Sequence, residues 1–393
     1  MDLSIYFEPV SLVIEEDKGA LPEKRLANVI RYYQPGEQFP DPGGYDLAII
    51  GVKEDRNALN NQGCSEAPDH IREKLYKLYQ GTPKTNIIDL GNIKPGNSVQ
   101  DTYFALSSVI SELVENNILP VILGGSQDLT FAQNKAYESL GRIVNMAAVD
   151  CSFDLGNAEE NFNSGSYLSK IILQQPNYLF NYTNIGYQTY FVDYEALKLM
   201  QNLHFDIYRL GNIRKDLKEV EPMVRNADIL TFDVSSIRQS DAPGNKNAGP
   251  NGFYGEEACQ ISRYAGMSDK ITSIGFYEVN PERDYYDQTS HLTAQMIYYF
   301  IDGFYSRKDD VPARDKTKYI RHIVLLEEYN QTIEFYKSKK SDRWWMLLPS
   351  APIENSGIKR NVWIPCSYED YVLASHENEI PDKWWKTYQK LSL

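Results

Sequence analysis

Between residues 46 and 305 the chain alternates two apolar patterns. Short runs in which nearly every side chain is apolar, at 46–52, 86–90, 119–123, 144–149, 179–185, 205–208, 229–232 and 271–276, read as strands buried on both faces. The stretches 67–78, 102–115, 129–140, 167–173, 193–201, 256–264 and 290–305 instead repeat apolar residues every three or four positions, as Ile71, Leu75 and Leu78 do. Strand and helix in regular succession make βαβ units. The predicted fold is therefore α/β, with three α-β-α layers around a mainly parallel, doubly wound sheet.

Two flanking regions fall outside that rhythm. Residues 1–45 form a leading segment that closes in a loop punctuated by Pro35, Pro40, Pro42, Gly43 and Gly44. From residue 307 to 393 the composition changes, and all five tryptophans lie there: Trp344, Trp345, Trp363, Trp384 and Trp385. Runs 332–337 and 343–348 predict a hairpin across a polar turn, the Ser367–Asp370 spacing predicts a capped helix, and Pro381 suits the first turn of another. The expectation is an α+β extension that folds, either covering the mouth of a pocket in the body or serving as an interface.

Three apolar runs end in acidic or polar tips, where parallel sheets place their chemistry. Residues 118–125 lead into Ser126, Gln127 and Asp128. The run ending at Val149 leads into Asp150, Ser152 and Asp154, and the run ending at Phe232 leads into Asp233 and Ser235. Downstream follows Tyr277-Glu278-Val279-Asn280-Pro281. In order and spacing these motifs resemble the ureohydrolase family of arginase, agmatinase and formimidoylglutamase over residues 45–306. The Asn-Ser-Gly-Ser stretch at 163–166 is most similar to formimidoylglutamase.

The resemblance implies an arginase-like fold and a pair of manganese ions held by Gly-Gly-Asp-His, Asp-Ala-His-x-Asp and Asp-x-Asp-x-x-Asp-Pro motifs. Matched position by position, Asp150, Asp154 and Asp233 are kept. Gln127 and Ser152 stand where the family has histidine, Ser235 stands for an aspartate, and Arg238 falls on the last aspartate, in the register set by Ala242-Pro243-Gly244. Glu278 matches the family glutamate that faces the substrate. The family's proton-shuttling histidine has no counterpart, since residues 155–170 contain none. An amide and two hydroxyls are poor replacements for imidazole and carboxylate, so this reading expects no cofactor, or at most one weakly held cation on Asp150, Asp154 and Asp233. Arg238 is expected to neutralise those acids in its place.

Charge and cysteine content narrow the function classes. A formal net charge of −14 excludes phosphate-backbone binding, no apolar run is long enough to cross a bilayer, and the first residues lack a signal-peptide pattern. Four scattered cysteines (Cys64, Cys151, Cys259, Cys366) read as free thiols in a cytoplasmic protein. Cys151 is a poor nucleophile beside acids. His70, His204, His291, His322 and His376 have no ligand spacing, and Gly124-Gly125-Ser126 reads as a tight turn.

The leading expectation is a catalytically inactive ureohydrolase-like protein that binds as a scaffold or subunit, with a protein partner or further copies of itself. One alternative is a formimidoylglutamase-like hydrolase of linear amidines, using manganese on a reduced site or shifted ligands such as Asp128 or Asp241. Another is a sensor that holds a guanidino or amino-acid ligand at Glu278.

Overall fold

The computed structural model describes residues 2–11, 24–81, 85–156, 161–349 and 361–392. Among them a ten-stranded sheet is built from β1 (Phe7–Glu8), β2 (Arg31–Tyr32), β3 (Leu47–Val52), β4 (Ile87–Ile93), β5 (Leu119–Leu123), β6 (Val144–Val149), β7 (Leu179–Tyr187), β8 (Asp206–Arg209), β9 (Ile229–Asp233) and β10 (Ser273–Tyr277). The order is β1-β4-β3-β5-β10-β9-β6-β7-β8, with β2 also pairing β4. Every pairing is parallel except β1 with β4. The mainly parallel α/β architecture expected from the pattern is present, and the leading segment joins it through β1 and β2.

Alternate residues of each strand enter opposite cores. Ile49, Val121, Val149, Leu230 and Phe276 pack beneath the helices Ala67–Leu75, Gly255–Gly266 and Gln288–Phe304. Ile50, Ile122, Met146, Ala148 and Ile229 pack beneath Val99–Glu115, Leu129–Ser139 and Tyr167–Leu173. Burial on both faces is why these strands show no polar alternation. The helix expected at 102–115 starts at Val99 because Ser98 and Asp101 close a capping box. No helix of the described residues is long and apolar enough to cross a membrane.

The tail is larger than a hairpin. The expected pair is there as β12 (Gln331–Ser338) and β13 (Trp344–Leu348), but β11 (Tyr319–Leu326) and β14 (Val362–Cys366) extend it to a four-stranded antiparallel sheet, β11-β12-β13-β14. Pro365 obscures β14 in the sequence, since proline is tolerated only where a strand lies at an edge. Arg321-His322 similarly interrupts the apolar run of β11. Helices Tyr368–His376, capped by Ser367 and Asp370, and Asp382–Ser392 complete this unit.

The tryptophans divide between roles. Trp344 and Trp384 share the tail's own core with Phe335, Met346 and Ile364. Trp345 lies on the other face with the Arg225 guanidinium 4.4 Å from its ring centre, Trp363 is half-buried, and Trp385 is 43% exposed. Arg225 of the body is one of several polar ties to the tail, beside those of Arg343, Lys386 and Lys390. Both its terminal nitrogens donate to the Trp344 carbonyl at 3.2 Å, one donates also to the Cys366 carbonyl, and its Nε pairs with Glu221 at 3.0 Å. Arg343 reaches the same Glu221 at 2.9 Å.

Removing that guanidinium leaves two buried carbonyls and a carboxylate short of a partner. Arg225→Ala should lower stability by about 3 kcal/mol, read as an earlier unfolding midpoint in urea with tail tryptophan fluorescence shifting first; coincident wild-type curves would show that Arg225 does not hold the tail.

Candidate functional site

The strands β5, β10, β9 and β6 are neighbours in the sheet, and their carboxyl ends share one rim. Asp150 follows β6, Asp233 closes β9 and Glu278 follows β10. Asp154 joins from the turn after Asp150, in the left-handed region (φ 49°) that aspartate tolerates better than most residues. One carboxylate oxygen from each of Asp150, Asp154 and Asp233 lies within 4.8 Å of the others. The three acids matched to the family positions therefore converge.

Short local hydrogen bonds hold them. The Ser152 amide donates to Asp150 Oδ1 at 2.9 Å, the Ser152 hydroxyl to Asp154 Oδ1 at 2.7 Å, and the Ser235 amide to Asp233 Oδ1 at 2.6 Å. Ser152 and Ser235 thus brace the acids. Gln127 turns its amide to the Thr231 hydroxyl at 2.8 Å. Its Oε1, Asp150 Oδ2 and the hydroxyls of Tyr167 and Tyr182 are buried without a hydrogen-bond partner, a concentration of orphaned polar atoms rare in folded proteins.

Glu278 occupies φ 69°, a conformation uncommon for its residue type and costing on the order of 1–3 kcal/mol. A set of hydrogen bonds over-determines it. Its amide donates to the Gly125 carbonyl, Oε1 accepts from the Gln127 amide at 2.8 Å, Oε2 from Asn61 Nδ2 at 2.7 Å, and its carbonyl from Asn61 and Asn245. The approach needs a glycine at 125, where a Cβ would sit 1.9 Å from the Glu54 carbonyl oxygen. Asn61 and Asn245 were not among the residues singled out by the sequence; Asn61 lies in a long loop whose contact with Glu278 spans 217 positions.

Arg238 does not neutralise the acids. Its Nε pairs with Asp241 at 2.8 Å and its guanidinium lies 4.0 Å from the Tyr254 ring centre, because a nearby carboxylate and an aromatic face hold it on its own loop. The shifted ligands fail for the same kind of reason. Asp241 also accepts from the Gly255 amide, and Asp128 is taken by the hydroxyls of Ser126 and Tyr103. His70 faces Asp287 at 3.3 Å, and His322 stacks on Trp344. All four cysteines are free and buried.

The acids open onto a cavity of about 340 Å³ lined by Leu59, Cys151, Ser152, Asp154, Ser164, Phe191, Asp233, Ser235, Asn247 and Glu278 among others. No basic side chain and no tail residue is among the described residues that line it. A wider groove of about 890 Å³ beside Phe131, Phe162 and Leu173 has no such gathering of acids.

Burial, then the charges of Asp154 and Asp233, raises the Asp150 carboxyl well above its ordinary range. Burial raises Asp154 as well, and burial with the Asp154 charge pushes Asp233 up to about 7. Glu278 is raised well above its usual value by burial and then by Asp233. The Cys151 thiol is raised by burial and the Asp150 charge, which removes it as a nucleophile. With no basic side chain among the described residues that line the cavity, protons or a cation would relieve the repulsion within the cluster.

A model of the arginase family matches residues 45–302. The chain is 26% identical over 282 residues to a formimidoylglutamase of Streptococcus gordonii, covering 65% of this chain and 84% of that protein. It is 24% identical over 280 residues to a formimidoylglutamase of Bacillus subtilis, covering 65% and 86%. Among solved structures, Trypanosoma cruzi formiminoglutamase with Mn2+ superposes with a TM-score of 0.63 at 19% identity, over 72% of this chain and 99% of that one. Bacillus subtilis formimidoylglutamase gives 0.65 at 19% identity, over 75% and 96%. These superpositions establish a common fold.

A folded-state carboxyl pKa raised from 3.8 to about 7 means that the native protein binds more protons than the unfolded chain across that window, so its contribution to stability falls as pH rises through it. In chelator, Asp233→Asn should therefore melt increasingly above wild type between pH 5 and 8, by several degrees at the upper end; a melting difference that does not change with pH would contradict the clustering of charge.

Proposed function

The chain belongs to the arginase family, and we propose that it is a formimidoylglutamase-like member whose pocket holds one hard divalent cation and takes a linear amidine for C–N hydrolysis. The observation that carries this is the convergence of Asp150, Asp154 and Asp233 within 4.8 Å, with Asp150 Oδ2 left unpartnered and no basic side chain in the cavity lining.

Three carboxylates suit one manganese-like cation, which prefers hard oxygen donors. A pair does not fit. Its further donors would have to come from Gln127, Ser152 and Ser235, whose side chains are neutral; the Gln127 amide and the Ser152 hydroxyl are also engaged elsewhere. When bound, such an ion supplies positive charge to the acids and Lewis acidity toward water. The chain's own groups do the rest of the positioning. Glu278, fixed by Asn61 and the backbone N–H of Gln127, is the acid outside the triad that can accept hydrogen bonds from a planar amidinium. Leu59 and Phe191 give the cavity apolar walls that reduce its water content. Four unpaired thiols support placing the protein in the cytoplasm.

A second reading, binding without turnover as a scaffold subunit or ligand sensor, is favoured by the neutral side chains at three ligand positions and by the absence of histidine from the cavity lining among the described residues. The sequence puts this reading first; the formimidoylglutamase relatives support the hydrolase more strongly.

Manganese loading followed by desalting and elemental analysis tests the proposal, together with assays on formiminoglutamate, agmatine and arginine. The expected result is close to one equivalent per chain, lost in Asp150→Asn, with amidine turnover above buffer. One equivalent without turnover selects the binding role, whereas none, or two, sinks the single-cation site.

A further inference from the structure

The tail's sheet ends in a strand whose outer edge has no pairing partner among the described residues. β11 runs eight residues and pairs β12 from Tyr319 opposite Ser338 to Leu326 opposite Gln331 without a bulge. Three of its apolar side chains face solvent: Ile320 at 46% exposure, Ile323 at 59% and Leu325 at 60%. Edge strands are ordinarily shortened, bulged or guarded by lysine and proline because a bare edge is a template for another strand. The only charged side chain within β11, Arg321, is engaged by Glu334 of the adjoining strand at 2.6 and 2.9 Å. At the opposite edge, β14 carries Pro365, and its Cys366 carbonyl is occupied by Arg225. One edge is closed and the other is open.

The charges flanking β11 identify its occupant. Lys316 and Lys318, in a single turn where Asp315 approaches Lys318 at 3.6 Å, precede the strand, and Glu327 and Glu328, in a second turn, follow it. A parallel neighbour of the same sequence would set lysine beside lysine and glutamate beside glutamate. An antiparallel copy, related by a two-fold axis perpendicular to the sheet, reverses the order and keeps each face of the sheet continuous. With Ile323 at the axis, Ile323 meets Ile323 of the partner subunit and Arg321 lies opposite Leu325 of the partner subunit. Lys318 then stands opposite Glu328 of the partner subunit, and the pair recurs by symmetry. The chain as a whole is strongly acidic, so two copies repel at most orientations, but here lysines at one end of the strand and glutamates at the other make an antiparallel pair self-complementary. We propose that β11 is a homodimer interface, joining the tail sheets of two copies into one continuous sheet and leaving both cavities open.

The test is mass measurement by light scattering on the full chain over a range of concentrations. Wild type should be a dimer that dissociates on dilution, and Ile323→Lys with Leu325→Lys should be a monomer. Because those two positions are exposed, the variant should keep the wild-type circular dichroism; if it does not, the charge variants outside the strand decide. Lys318→Glu and Glu328→Lys should each weaken the dimer about fivefold, as expected for two symmetry-related surface ion pairs beyond the strand ends, and together should restore it. Restoration separates a second copy from a foreign partner. A wild type monomeric at every concentration, or a dimer indifferent to the edge lysines and to the charge swap, overturns the proposal.

Discussion

Repulsion among buried carboxylates is the constraint to which the rest of the site answers. Strands β6 and β9, followed by the turn to Asp154, bring three acids to one rim, and Glu278 on β10 adds a fourth. At an effective dielectric near 20, two like charges about 4 Å apart cost on the order of 4 kcal/mol, a large part of a typical domain's margin of stability. A sheet that places these ends side by side must therefore also supply protons or a cation. The amides and hydroxyl of Ser152 and Ser235 ease this by donating to the acids, but they bring no net charge.

The polar frame around the acids is rigid where it meets Glu278. Its strained backbone persists because Gly125, Gln127, Asn61 and Asn245 all bond to it, and these groups come from three separate loops. Such over-determination costs stability and keeps a carboxylate aimed at the cavity, an arrangement of use to a ligand-binding or catalytic site.

The tail is attached away from that rim. Arg225 and Glu221, on a helix of the body, take its strand carbonyls and Arg343, so the extension is fastened through a buried polar junction. It has its own small core around Trp344 and Trp384. Two of its five tryptophans are thus spent on that core, and the apolar surface the tail presents outward includes Ile320, Ile323 and Leu325 of β11 beside Trp385 and several tyrosines.

How much of this was legible in the chain depends on the distance over which each feature is decided. The alternation of apolar runs with helical spacing determined the parallel α/β body almost element for element, because burial on both faces of a strand leaves its mark within five or six residues. The acid tips of β6 and β9 were legible for the same reason, and their convergence followed from motif order. Where Arg238 points was settled by Asp241 and Tyr254, which compete with the triad for one guanidinium at distances no sequence spacing reveals. Asn61 became part of the site only when a loop folded against a strand end more than two hundred residues away. Strands β11 and β14 escaped notice because Arg321 and His322 interrupt the apolar run of one and Pro365, which a sheet tolerates chiefly at an edge, interrupts the other; which strand lies at an edge is a property of the assembled sheet. The sequence by itself determined what is local: periodicity, capping boxes, and the acids at strand tips. Tertiary structure decided which charges share a space and which edges stay open, because electrostatic partners and strand neighbours are chosen by proximity in three dimensions.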